Sequence, residues 1–104
     1  MKEITTPNGQ RADLDLGDGH YLRFFRHQGV DHSTGGILYH PDPRSDTGWC
    51  SVGVYWERHY PEEQGKVTWT LQSGAAEPIT LAPSIRCLTC GDHGFIRNGK
   101  WIRA

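Results

Sequence analysis

The chain has 104 residues, a formal net charge of −1 and 36% hydrophobic residues, which fits one domain with a modest core. It lacks the basic run that a phosphate-binding surface leaves, so no nucleic-acid partner is expected. It also lacks both an apolar stretch near the ~20 residues of a bilayer span and a leader-like start, so no membrane partner and a cytoplasmic location are expected.

Thirteen glycines and six prolines suit short strands joined by turns rather than long helices. Residues 3–16 read as a weak hairpin about Asn8-Gly9, with poor apolar alternation and hence a solvent-facing edge. Gly17-Asp18-Gly19 is a second turn. Strands follow at residues 20–27, with Leu22 and Phe24 on one face, and at residues 35–40, ending in His40. Residues 41–48, with two prolines and two aspartates, form a loop leading to Trp49-Cys50. Residues 51–58 alternate, with Val52, Val54 and Trp56 on one face. Residues 66–72 alternate most cleanly: Val67, Trp69 and Leu71 are expected to point inward. A short strand is expected at residues 77–81.

The last quarter carries most of the information. Cys87-Leu-Thr-Cys90 is a tight thiol pair, and His93 follows it. Asn98-Gly99 is the favoured two-residue hairpin turn, because both central positions need positive φ. Counting outward, Arg97 faces Lys100, Ile96 faces Trp101 and Phe95 faces Ile102. Such a ribbon is apolar on both faces and is expected to be buried rather than edge-exposed. The fold class expected is all-β: a single small zinc-stapled domain, 1–104, of short antiparallel strands and hairpins.

Three cysteines in a cytosolic chain are thiols or thiolate ligands rather than a disulfide framework. Structural zinc takes four Cys or His ligands in a tetrahedron, often one tight pair and one distant pair. Cys87 and Cys90 supply the first; His40 and Cys50, facing each other across the proline-containing loop, supply the second. His93 is the rival fourth ligand, since Cys-x-x-Cys-x-x-His can wrap one ion. Loss of one ligand would leave an open, catalytic zinc. A thioredoxin-type redox pair would need a βαβ setting that is absent here.

Ser84, after Pro83, and His93 flank the same cysteine loop, and a serine nucleophile needs a base within hydrogen-bond reach. Turn statistics alone make Ser84 a turn residue. Asp92 neighbours His93, but adjacent residues of an extended chain point to opposite faces. Backbone N–H groups between Cys90 and Gly94 are candidates for stabilising an oxyanion. Trp49 and Tyr60 have no periodic reason to be buried. With Arg86 and Arg97 they suggest an alternative: a non-enzymatic zinc-stabilised module that binds a protein or peptide.

The motifs Thr80-Leu-Ala-Pro-Ser84-Ile85 and Cys90-Gly-Asp-His93-Gly-Phe-Ile-Arg-Asn98-Gly99, with the upstream His/Cys strand pair, resemble the BubE-like family of small bacterial and phage proteins over about residues 35–104. Some members sit in bacterial ubiquitin-like conjugation operons. The resemblance implies a serine peptidase that trims or removes a ubiquitin-like protein, with Ser84 as nucleophile, His93 as base and the cysteines as structural metal ligands.

Overall fold

The computed structural model describes residues 4–59, 68–72 and 78–104. Among them are eleven β-strands and no helix, and hence no helix long and apolar enough to cross a membrane. The all-β expectation holds. The strands are β1 (Ile4–Thr5), β2 (Arg11–Ala12), β3 (Leu14–Gly17), β4 (His20–Phe25), β5 (Gly35–Pro41), β6 (Trp49–Tyr55), β7 (Thr70–Leu71), β8 (Leu81–Ala82), β9 (Ile85–Arg86), β10 (His93–Arg97) and β11 (Lys100–Arg103).

The central layer is the antiparallel sheet β3-β4-β5-β6. Glycine punctuates it where left-handed backbone is required: Gly17, Asp18 and Gly19 all have positive φ at the β3–β4 turn. A register shift between Asp15 and Gly17 bulges that hairpin. The second layer is the sheet β11-β10-β9. Its hairpin has the register read from the sequence: Arg97 opposite Lys100, Ile96 opposite Trp101 and Phe95 opposite Ile102. Asn98 and Gly99 sit at φ 53° and 75°, as a turn of this length requires. Two short ribbons, β1-β2 and β7-β8, account for the other described strands.

One apolar cluster joins the layers. Leu22, Leu38 and Val54 from the central sheet meet Ile85, Ile96 and Trp101 from the second, with Leu16, Ile79 and Leu81 around them. Burying each such side chain contributes about 1.5–3 kcal/mol, and the cluster is small.

Two expectations are corrected. The 95–102 ribbon is buried on one face only: Ile96 and Trp101 are buried, whereas Ile102 is 43% exposed. The second sheet packs on the core through its Ile85/Ile96 side, leaving the Phe95/Ile102 side facing outward. Leu71, expected inside, is also exposed, because β7 belongs to a two-residue ribbon rather than to a core sheet. Val67 and Tyr60 lie outside the described residues.

Gly94 marks the closest approach in the second sheet. A Cβ placed there would lie 2.5 Å from the Trp101 ring and 2.6 Å from the Ile102 carbonyl oxygen. Gly94→Ala is therefore expected to destabilise the domain by about 2–3 kcal/mol through overpacking, read as a lower urea midpoint with an unchanged slope.

At the start of β5, away from His40 at its other end, His32 donates through Nε2 to Glu57 at 2.8 Å, and His59 Nε2 lies 2.8 Å from the same carboxylate. Glu57 first and Asp31 second raise the His32 pKa above the ordinary histidine value. His32 first and His59 second hold Glu57 below the usual carboxylate range. The contact is therefore present once Glu57 is ionised and while His32 is protonated. It is lost as pH rises through the raised His32 value, or falls through the lowered Glu57 value. Titration by NMR should place His32 above a free histidine, and Glu57→Gln should bring it back down.

Candidate functional site

The candidate metal corner is built from two local structures. His40 and Cys50 are directly opposed across the β5–β6 ladder, so their side chains leave the same face of the sheet. Cys87 and Cys90 come from the loop after β9. That loop is closed by the Gly91 N–H donating to the Cys87 carbonyl at 2.7 Å and by the Cys87 N–H donating to the Asp92 carbonyl at 2.8 Å. Gly91, at φ 80°, supplies the left-handed residue that turns the chain back into β10. Arg44 braces the loop from the 42–48 connection by donating to the Cys90 carbonyl at 2.9 Å.

The four side chains converge. His40 Nε2 is 3.1 Å from Cys90 Sγ, and Cys50 Sγ is 3.5 Å from Cys87 Sγ. All four ligand atoms lie within 4.8 Å of one another. Tetrahedral zinc bonds of about 2.3 Å to sulfur and 2.0 Å to nitrogen place ligand atoms roughly 3.5–3.8 Å apart, so this cluster has the right size and donor set to hold a metal ion. Its electrostatics agree. Burial, with repulsion from Asp92-facing His20 as a lesser contribution, lowers the His40 pKa, which favours the neutral imidazole that a metal requires. Burial and the neighbouring Cys87 push the Cys50 thiol up to about 12. Burial opposes ionisation of Cys87 too, but backbone hydrogen bonds from Cys90 and Thr89 and the Cys50 thiol outweigh it and lower its pKa. Cys87 is thus the most acidic thiol of the three, and a divalent cation would relieve the resistance of the others to ionisation.

His93 stands apart from this cluster. Its Nε2 lies 2.9 Å from Ser84 Oγ, and both side chains are half-buried. His93 opens β10 and is registered opposite Arg86 of β9, which brings it beside the residue just before β9. The Ser84 backbone is held in turn by Trp69, whose indole N–H donates to the Ser84 carbonyl at 3.2 Å. Asp92 points elsewhere: its carboxylate accepts from His20 Nε2 at 2.5 Å. Of the N–H groups between Cys90 and Gly94, that of Gly91 is already committed to the Cys87 carbonyl.

His20 is the residue that pattern reading missed. It is 2% exposed, donates through Nδ1 to the Asp18 carbonyl at 2.8 Å, and stacks on Trp101 with ring centroids 4.2 Å apart. Its ring also lies 5.7 Å from that of His40. Asp92 is 72 positions away in sequence, so no local signal joins them. Trp49 is half-buried and tilted against Tyr21 at 6.1 Å.

A serine hydroxyl thus lies in contact with an imidazole, the pairing that serine nucleophiles use, beside a Cys/His corner that could hold a metal ion. Residues 29–104 match the family model for BubE, described as a bacterial ubiquitination-like system serine protease, and the chain belongs to this family. The match begins slightly ahead of the motifs that carry the resemblance in sequence. No curated protein and no solved structure matches the chain.

Proposed function

We propose that this chain is a zinc-stapled serine peptidase that acts on a ubiquitin-like protein, with Ser84 as nucleophile and His93 as general base. The observation that carries the reading is the 2.9 Å contact between Ser84 Oγ and His93 Nε2, in a chain whose family is described as a serine protease. Ser84 Oγ attacks the scissile carbonyl and passes its proton to His93 Nε2. The imidazolium returns that proton to the leaving amine as the C–N bond breaks, leaving an acyl-serine. Water, deprotonated by His93, then attacks the ester, and the proton goes back to Ser84 as the acid product leaves.

His40, Cys50, Cys87 and Cys90 would hold the zinc. With all four positions supplied by protein, the ion is structural, since a catalytic zinc keeps a position open. Its contribution is to fix the loop whose two ends carry Ser84 and His93. The test is a fluorophosphonate probe followed by peptide mapping. Wild type should carry the adduct on Ser84, and Ser84→Ala should carry none. An adduct elsewhere, or equal labelling of both proteins, counts against the reading.

A further inference from the structure

We infer that the outward face of the β9-β10-β11 sheet is the substrate-docking surface, and that it selects an extended segment bearing an apolar side chain next to acidic ones. This rests on the reading of Ser84 and His93 given above. Directly opposed residues of an antiparallel sheet share a face, as do residues two apart along one strand. His93, Phe95 and Arg97 of β10 therefore share their face with Arg86, Ile102 and Lys100, their registered partners. The side-chain contacts agree: the His93 and Phe95 rings are 6.5 Å apart, and the Arg97 guanidinium sits 4.3 Å over the Phe95 ring.

The surface thus has an order. Arg86 lies beside the Ser84/His93 pair. An apolar pad of Phe95 and Ile102 follows at roughly 7 Å, and the Arg97/Lys100 pair at roughly 13 Å, the rise of two and four extended residues. A bound strand running along β10 would meet these features at the same spacing. Its residues two and four positions from the scissile bond would face the pad and the distal cations.

Charge decides what the segment carries. The chain as a whole is slightly acidic, yet this face presents three cations. Elsewhere Arg44 pairs with Asp42 and Arg103 with Asp18, whereas among the described residues no carboxylate pairs with Arg86, Arg97 or Lys100. Arg97 is exposed and its guanidinium carbon lies over the Phe95 ring; a guanidinium held on a ring in this way can still receive a carboxylate through its N–H groups. Cations that no described carboxylate neutralises, flanking half-buried Phe95 and exposed Ile102, complement an acidic–apolar–acidic segment and repel a basic one.

Binding separates this inference from the chemistry. Two fluorescein-labelled decapeptides, each with leucine two residues to either side of its centre, differ only at the flanking positions, glutamate in one and lysine in the other. Against Ser84→Ala, fluorescence anisotropy should show the glutamate peptide binding about tenfold more tightly or better at low ionic strength. The margin should shrink as salt screens it. In the same background, Arg97→Glu with Lys100→Glu should reverse the preference, and Arg97→Gln with Lys100→Gln should reduce it, which serves if the reversal fails to fold. Equal binding of the two peptides, or a preference untouched by these substitutions, overturns the inference. The fluorophosphonate result on wild type is read independently. A peptide preference without labelling leaves the docking face standing and removes the peptidase; labelling without a preference does the opposite.

Discussion

Chelation of the metal is expected to abolish the cooperative unfolding transition of this domain rather than loosen one loop. A structural zinc contributes on the order of 10 kcal/mol in small metal-dependent folds, comparable to the whole stability of an ordinary domain, about 5–15 kcal/mol. On the proposed reading the four ligands come from both layers: His40 and Cys50 from the central sheet, Cys87 and Cys90 from the loop that feeds the second. The apolar cluster that otherwise joins those layers is small. A thermal melt with excess chelator should lose its transition and regain it on addition of one equivalent of zinc, and Cys87→Ser should behave like the chelated protein. Native mass spectrometry should find one zinc in wild type and one in His93→Ala, because the His93 imidazole is turned to Ser84. An unaltered melt after verified metal removal would refute the staple. Loss of zinc from a folded His93→Ala would make that imidazole a ligand and remove it as the base.

His93→Ala should slow fluorophosphonate labelling of Ser84 by on the order of 10³-fold or more, and peptide turnover by roughly 10⁴- to 10⁶-fold. The reason is that an isolated serine hydroxyl is a poor nucleophile, and the imidazole at 2.9 Å is the group in contact to take its proton. Ser84→Ala should cost at least as much, and the double variant no more than the worse single one, since the two side chains act as one unit. A His93→Ala protein that labels at the wild-type rate would mean that the contact is structural.

How much of this was legible depended on range. The Asn98-Gly99 hairpin was readable down to its register, because a two-residue turn fixes pairing locally. The pairing of His40 with Cys50 was also readable, because a strand end and a strand start separated by one loop face each other. Ser84 and His93 were singled out by the family motifs; turn statistics alone pointed away from Ser84. What the pattern did not carry was long-range. His20 meets Asp92 across 72 positions, and nothing near either residue announces it. The outward Phe95/Ile102 face, on which Ile102 is exposed, was misjudged for a related reason. Alternation tells which residues share a face, and only the partner layer tells which face is covered. Leu71 fell to the same ambiguity.

The loop from Cys87 to Cys90 has a symmetry of position with a consequence for how this site can change. Ser84 stands three residues before the first thiol, and His93 three residues after the second. Nucleophile and base, on the proposed reading, are thus the two tips of a pair of tweezers whose pivot is the metal corner. Lengthening or shortening the pivot by one residue would displace both tips and break the Cys87–Asp92 closure together. Affinity for the ion and alignment of the reacting groups therefore cannot drift separately. On that reading, a variant that loses a thiol should lose its chemistry in the same step, and one that loses only Ser84 should still be held to the same loop length by its need to fold.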